Sequence, residues 1–172
     1  MVLLHSNGTA FREIDIGQKI CYHTIKAIAR NEKVMENYFK MEYTPAQVNA
    51  VTNLALAHVG DGVYELLCRT HLCAGGDKTV LKLHKDTVSM VRASAQAQYA
   101  DRLLPLLTEE EKAYFRRGKN AHTHSAPKAA TRLEYAKATG LETLFGALYL
   151  LGRTDRLNQL FQTVIRSEDY GL

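Results

Sequence analysis

Two acidic residues sit where a packed helix has little use for them. Asp61 lies in "LALAHVGDGVYELLCRTHL" (54–72), between Gly60 and Gly62, in a stretch whose Leu54, Val59, Val63, Leu66 and Leu67 promise a core face. Glycines in a helix interior each cost about 1 kcal/mol relative to alanine, and a carboxylate near apolar surface costs more unless something positive meets it. Glu65 follows four residues on, so in a helix it shares a face with Asp61, with Ala57 and His58 one turn earlier. Like charges at that spacing repel, which favours a cation brought from outside. The second oddity is Glu142 in "TGLETLFGALYLL" (139–151), enclosed by Leu141, Leu144 and Phe145, with Gly140 and Gly146 close by. Two apolar helices, each bearing a carboxylate beside glycines, can pack closely and aim Asp61 and Glu142 at one spot. Oxygen ligands without histidine or thiolate suit a hard cation, Mg²⁺ before Zn²⁺, held partly through water with room for a substrate phosphate. A plainer reading also fits: each acid on the solvated edge of an amphipathic helix, the glycines serving packing alone. Pattern by itself leaves both open.

The elements that must position these acids are helices. No stretch alternates apolar and polar residues cleanly, whereas helix starts recur. Thr44–Gln47, Thr108–Glu111 and Thr131–Glu134 have capping-box spacing, the first with Pro45 where its missing N–H costs nothing. The run after Thr44 extends to about Ala74, too long for one ordinary helix, so a break is expected near Asn53 and a stop at Gly75-Gly76. Asp77 is expected to cap a short segment, "KTVLKLHK" (78–85). One long helix should follow through "DTVSMVRASAQAQYADRLL" (86–104), its Ala93, Ser94, Ala95 and Ala97 small enough for close packing. The helix after Thr108 ends in "AYFRRGKNA", residues 121–130 form a loop around Pro127, and the helix after Thr131 runs to Gly152. A last helix starts at Asp155. The expected fold is all-α, with short connections between antiparallel neighbours.

A chain of 172 residues, 46% apolar, is enough for one core. Three cysteines (Cys21, Cys68, Cys73) make no disulfide framework and suit a reducing cytoplasm. No run is long enough for a membrane span, and no signal segment opens the chain. A net charge of +4 is mild and suits an anionic partner. Residues 1–40 differ from the rest: Ile16, Ile20, Ile25 and Ile28 allow a modest amphipathic helix, but no turn signal joins it to the core. They read as a flexible N-terminal extension, with Met35 or Met41 as alternative starts, leaving 41–172 as the functional domain.

"NLALAHVGDGVYELLCRTHL" (53–72) resembles the signature helix of the ribonuclease III catalytic domain, and in its form the Mini-ribonuclease III branch. "LHKDTVSMVRASAQA" (83–97), "LTEEEKAYFRRGKNA" (107–121) and "LETLFGALYLLGR" (141–153) agree with it in order and spacing. The resemblance implies an all-α ribonuclease III endonuclease-domain helical bundle over 41–172, a homodimer, and Mg²⁺-dependent cleavage of double-stranded RNA. The products would carry a 5′ phosphate and a 3′ hydroxyl, with staggered ends from paired cuts. It assigns the catalytic aspartate to Asp61 and the metal-binding glutamate to Glu142. Larger ribonucleases III carry further acids where this chain has Leu54, Ala57 and Thr139. The first two losses are shared with the Mini branch; all three leave a metal fewer protein ligands. The branch implies maturation of the ends of 23S ribosomal RNA precursor, with a ribosomal protein as a candidate presenter of the RNA. The alternative is a non-catalytic RNA-binding, ribosome-associated relative of the same fold.

Larger relatives append a double-stranded-RNA-binding domain, for which the chain leaves no room after "LLGR", so the catalytic domain should hold the RNA itself. From Arg116 to Arg132 there are five cations (Arg116, Arg117, Lys119, Lys128, Arg132), plus His122 and His124, and no acid. An A-form duplex is recognised by shape, 2′-hydroxyls and phosphates, and this stretch is the expected phosphate clamp. Arg116 and Arg117 would also suit a helix C-terminus. Cys68, His71 and Cys73 lie close in sequence but have no second pair at finger spacing, so a core thiol with surface neighbours is expected rather than zinc. Tyr64, Tyr135 and Tyr149 fit helix packing.

Overall fold

The computed structural model describes residues 37–121 and 130–166. They form seven α-helices: α1 (Pro45–Ala50), α2 (Asn53–Ala74), α3 (Val80–Val91), α4 (Ala93–Leu103), α5 (Glu109–Lys119), α6 (Arg132–Leu150) and α7 (Thr154–Arg166). No strand occurs among the described residues. The chain divides into two compact units, Met1–Phe39 and Lys40–Leu172, and all seven helices belong to the second. The amphipathic stretch expected before residue 37 lies outside the described residues.

All three capping boxes form. The backbone N–H of Thr44 donates to Gln47 Oε1 at 2.9 Å, that of Thr108 to Glu111 Oε2 at 2.9 Å, and that of Thr131 to Glu134 Oε2 at 2.8 Å. Each threonine hydroxyl accepts in return from the N–H three residues on. Caps of this kind are worth about 1 kcal/mol apiece. Val51 and Thr52 are extended, so the break expected near Asn53 is present and Thr52 caps α2. Gly76, at φ +102°, turns the chain after α2.

The division of residues 78–104 differs from expectation. Thr79, not Asp77, caps α3, accepting from the N–H of Lys82, and α3 continues through Asp86 to Val91. The break falls at Arg92, whose extended backbone (φ −63°, ψ 147°) ends α3 and opens α4. Its carbonyl accepts from the N–H groups of Ala95 and Gln96, so the new helix is started by backbone bonds alone. No proline or glycine marks the spot, which is why the pattern hid it.

α6 is the centre of the bundle, packed on α2, α5, α4 and α7. From Ala138 to Leu148 every residue except Glu142 is buried. A helix apolar on all sides is a core helix. Its chief partner is α2, which buries Leu56, Ala57, Gly60, Tyr64, Cys68 and Leu72. That face is rotated from the expected one: Leu54 is 47% and Leu66 53% exposed, and Val59, Val63 and Leu67 are only half-buried. The smallest residues face α6 because the two backbones nearly touch there. Beyond the touching point Tyr64 fills the space, its ring edge-on to Phe145 (5.4 Å) and Phe161 (6.1 Å).

Candidate active site

The crossing of α2 and α6 makes the site. A Cβ added to Gly60 would stand 1.7 Å from the Glu142 carbonyl oxygen, and one added to Gly146 would stand 2.0 Å from the Leu56 carbonyl oxygen. Only hydrogen fits at either position. Residue 61 follows one contact glycine, and residue 142 supplies the carbonyl that this glycine touches. The backbone approach therefore carries Asp61 and Glu142 to the same place. Gly62 has no such task, since a Cβ there meets nothing within 4 Å.

The electrostatics separate these acids from the structural ones. Burial pushes the Glu142 carboxyl up to about 7, the neighbouring Asp61 adds to the rise, and the Gln96 amide lying against it offsets part. Asp61 is also raised, by partial burial and then by Glu65, with His58 pulling the other way. Glu111 is the contrast. It is buried too, which raises its carboxyl, yet Arg156 (Nε–Oε1 2.8 Å) and Thr108 hold it below the ordinary value. Glu65 has a cation of its own, accepting from Arg69 Nε at 2.9 Å. Among the described residues no lysine or arginine is paired with Glu142. Two neighbouring carboxylates whose charged forms are disfavoured make a candidate functional site.

A divalent cation would relieve this repulsion, and the oxygen-only donor set fits a hard one. Among the described residues no cluster of three or more His, Cys, Asp or Glu is placed to hold a metal. The protein part of the shell would thus be these two carboxylates, with water and substrate oxygens completing it, as Mg²⁺ tolerates. The positions at which larger ribonucleases III carry acids hold no charge: Leu54 faces solvent, Ala57 is buried, and buried Thr139 donates to the Tyr135 carbonyl at 3.0 Å. Cys68 is a core thiol, whereas His71 and Cys73 are exposed.

The residues expected to hold phosphate divide. Arg116 and Lys119 are exposed at the end of α5, and Lys119 and Arg132 line a cleft of about 390 Å³ with Asn120, Tyr135 and Thr139. Arg117 turns inward. Its guanidinium donates to Asn53 Oδ1 (2.9 Å), Asn49 Oδ1 (3.0 Å) and the Val51 carbonyl (3.0 Å), and it lies 5.7 Å from the Tyr114 ring centre. It ties α5 to the break between α1 and α2, a task of the fold. His122, His124 and Lys128 lie outside the described residues.

One residue at the site was not singled out from sequence. Gln96, on α4, is 1% exposed, and its Nε2 donates to the Val91 carbonyl at 2.9 Å. Its Oε1 is buried with no hydrogen-bond partner, an arrangement that ordinarily costs about 1–3 kcal/mol. The available signal was a long amide on a face otherwise made of Ala100 and Leu103, but it depends on knowing that α4 starts at Ala93.

Comparison with known proteins places the chain. Residues 54–153 match the ribonuclease III domain model, more than half of the chain. The fold thus belongs to a known class: the chain is a member of the ribonuclease III domain family, a family of endoribonucleases. Within it the similar proteins are Mini-ribonucleases 3. That of Symbiobacterium thermophilum is 45% identical over 109 residues (63% of this chain, 84% of that one). The protein of Clostridium tetani is 38% identical over 133 residues (76% and 88%), and that of a Thermoanaerobacter species 41% over 123 (72% and 87%). A crystal structure of a Fusobacterium nucleatum protein superposes with a TM-score of 0.65 at 31% identity, covering 71% of this chain and 98% of that one. The all-α ribonuclease III bundle expected from the sequence is the fold found.

Proposed function

We propose that this chain is a Mg²⁺-dependent endoribonuclease that cuts double-stranded RNA as a homodimer and matures the ends of 23S ribosomal RNA precursor in the cytoplasm. The observation that carries the reading is the meeting of Asp61 and Glu142 at the Gly60–Gly146 contact, each with its charged form disfavoured until a cation arrives. Family membership and the Mini-ribonuclease 3 relatives support the substrate class.

Bound Mg²⁺ would supply Lewis-acid polarisation of the phosphate, a more acidic water and neutralisation of the departing oxygen. Asp61 and Glu142 would hold it and orient water through their remaining lone pairs, not attack phosphorus themselves. Asp61 is exposed, which leaves it open to an incoming phosphodiester, while half-buried Glu142 anchors the site from the core side. Arg116, Lys119 and Arg132 are solvent-facing and suit the duplex backbone, with His122, His124 and Lys128 in the same stretch. Arg117 is left out of that clamp because its donors are committed within the fold. Binding through phosphates should weaken steeply with salt. A staggered double cut needs two sites related by a two-fold axis matching that of the duplex. Exposed Leu54 and Leu66 on α2, the helix that carries Asp61, suit burial against a second copy.

The test is incubation of labelled duplex RNA with wild type and Asp61→Asn, in Mg²⁺ and then in chelator. Cutting by wild type with Mg²⁺ alone supports the reading. Equal duplex binding without cutting by either protein would establish the non-catalytic alternative.

A further inference from the structure

We propose that Gln96 is a positioning residue for Glu142: its amide, anchored on the α3–α4 break, holds the Glu142 carboxylate in place to share a divalent cation with Asp61. The inference rests on the functional reading above, and it adds a residue that the family assignment does not supply.

The geometry starts at Arg92. Its extended backbone ends α3, leaving the Val91 carbonyl without a helical successor, and Gln96 Nε2 takes that carbonyl at 2.9 Å. A carbonyl only accepts, so the amide orientation is fixed with its nitrogen toward Val91. The nitrogen carries a second hydrogen. The same side chain lies against the Glu142 carboxyl. α4 packs on α6 and buries Ala97, Ala100 and Leu103 along with Gln96, so the amide is held in the packed interior.

The unsatisfied end carries the argument further. Gln96 Oε1 is buried and has no partner, although buried polar atoms are ordinarily satisfied and exceptions call for a reason. A side chain needed only to fill space would be methionine or leucine, with no orphan acceptor. The chain keeps the amide for its donor side. Partners that orient a metal-binding carboxylate are known to tune metal affinity, and their loss weakens it about 10- to 100-fold.

The experiment compares wild type, Gln96→Met and Gln96→Asn, with Glu142→Gln as reference. Methionine keeps the volume without a donor; asparagine keeps the amide but is one methylene too short to serve Val91 and Glu142 together. Mn²⁺ binding to metal-free protein is measured by calorimetry, and duplex cleavage is measured against Mg²⁺ concentration. Each variant's fold is checked by cooperative melting, so that if one fails to fold the other carries the test. Both variants should bind Mn²⁺ about tenfold more weakly. Their kcat should recover toward wild type at saturating Mg²⁺, with the KM for RNA unchanged. On a Glu142→Gln background, Gln96→Met should cause no further loss of Mn²⁺ affinity. Wild-type Mn²⁺ affinity in a folded Gln96 variant would overturn the proposal and leave the site reading intact. Wild-type Mn²⁺ affinity in Glu142→Gln would overturn both.

Discussion

At the scale of single residues, the charge on Glu142 costs the fold stability. Its folded-state carboxyl titrates at about 7 against an ordinary 4.5, so between those values the folded protein holds a proton that the unfolded chain has released. Stability contributed by the protonated form is complete below pH 4.5 and is lost as pH rises to about 7; the unfavourable charge then amounts to about 3 kcal/mol at most. Metal-free Glu142→Gln should therefore melt higher than wild type at pH 8 and alike at pH 4.5. A divalent cation should raise the wild-type melting temperature and leave the variant's nearly unmoved. Thermal melts at the two pH values, with and without Mg²⁺, check this; an equal pH 8 melting temperature for both metal-free proteins would contradict it. Cations and protons compete for the same oxygens, so apparent metal affinity should fall as pH drops below about 7. Glu111 shows why a buried acid alone is no signal: with Arg156 beside it, it is a strut.

At the scale of elements, the site is a property of how closely two helices approach. Gly60→Ala and Gly146→Ala force a methyl into a backbone carbonyl, and each should destabilise by about 3 kcal/mol or more while pushing Asp61 away from Glu142. Gly62→Ala meets open space and should stabilise by about 0.5–1 kcal/mol through helix propensity. Denaturant melts of the three variants would measure this, and equal effects would contradict it. In sequence the two glycines flanking Asp61 look alike. Only the partner helix tells them apart, and that pairing is a long-range fact that local pattern does not encode. Capping boxes were legible because their chemistry is local: Thr44, Thr108 and Thr131 bond three residues away. Asp61 and Glu142 were legible as apolar-helix acids beside glycines. Arg92 was illegible as a break because its extended backbone leaves no composition signal, and without that break Gln96 could not be assigned to the buried face. Arg117 read as one more cation of a basic run because its four-point attachment to Asn49, Val51 and Asn53 bridges 64 to 68 residues of sequence.

At the scale of the whole molecule, α2 presents core residues to α6 on one side and Leu54 and Leu66 to solvent on another. Leu66→Glu, which places charge on the proposed dimer surface without touching the core, should shift the sedimenting species from twice the chain mass to once. Paired duplex cuts should then become single-strand nicks. Unchanged mass would place the partner surface elsewhere. Among the described residues no helix is long and apolar enough to cross a membrane. The central claim is narrower than any of this: Asp61 and Glu142 grip one divalent ion together. Crystals soaked in Mn²⁺ and measured at its absorption edge test it most directly. An anomalous peak within bonding distance of both carboxylates is the expected result, absent in Asp61→Asn; a cleaving enzyme whose only peak lies away from them would contradict it.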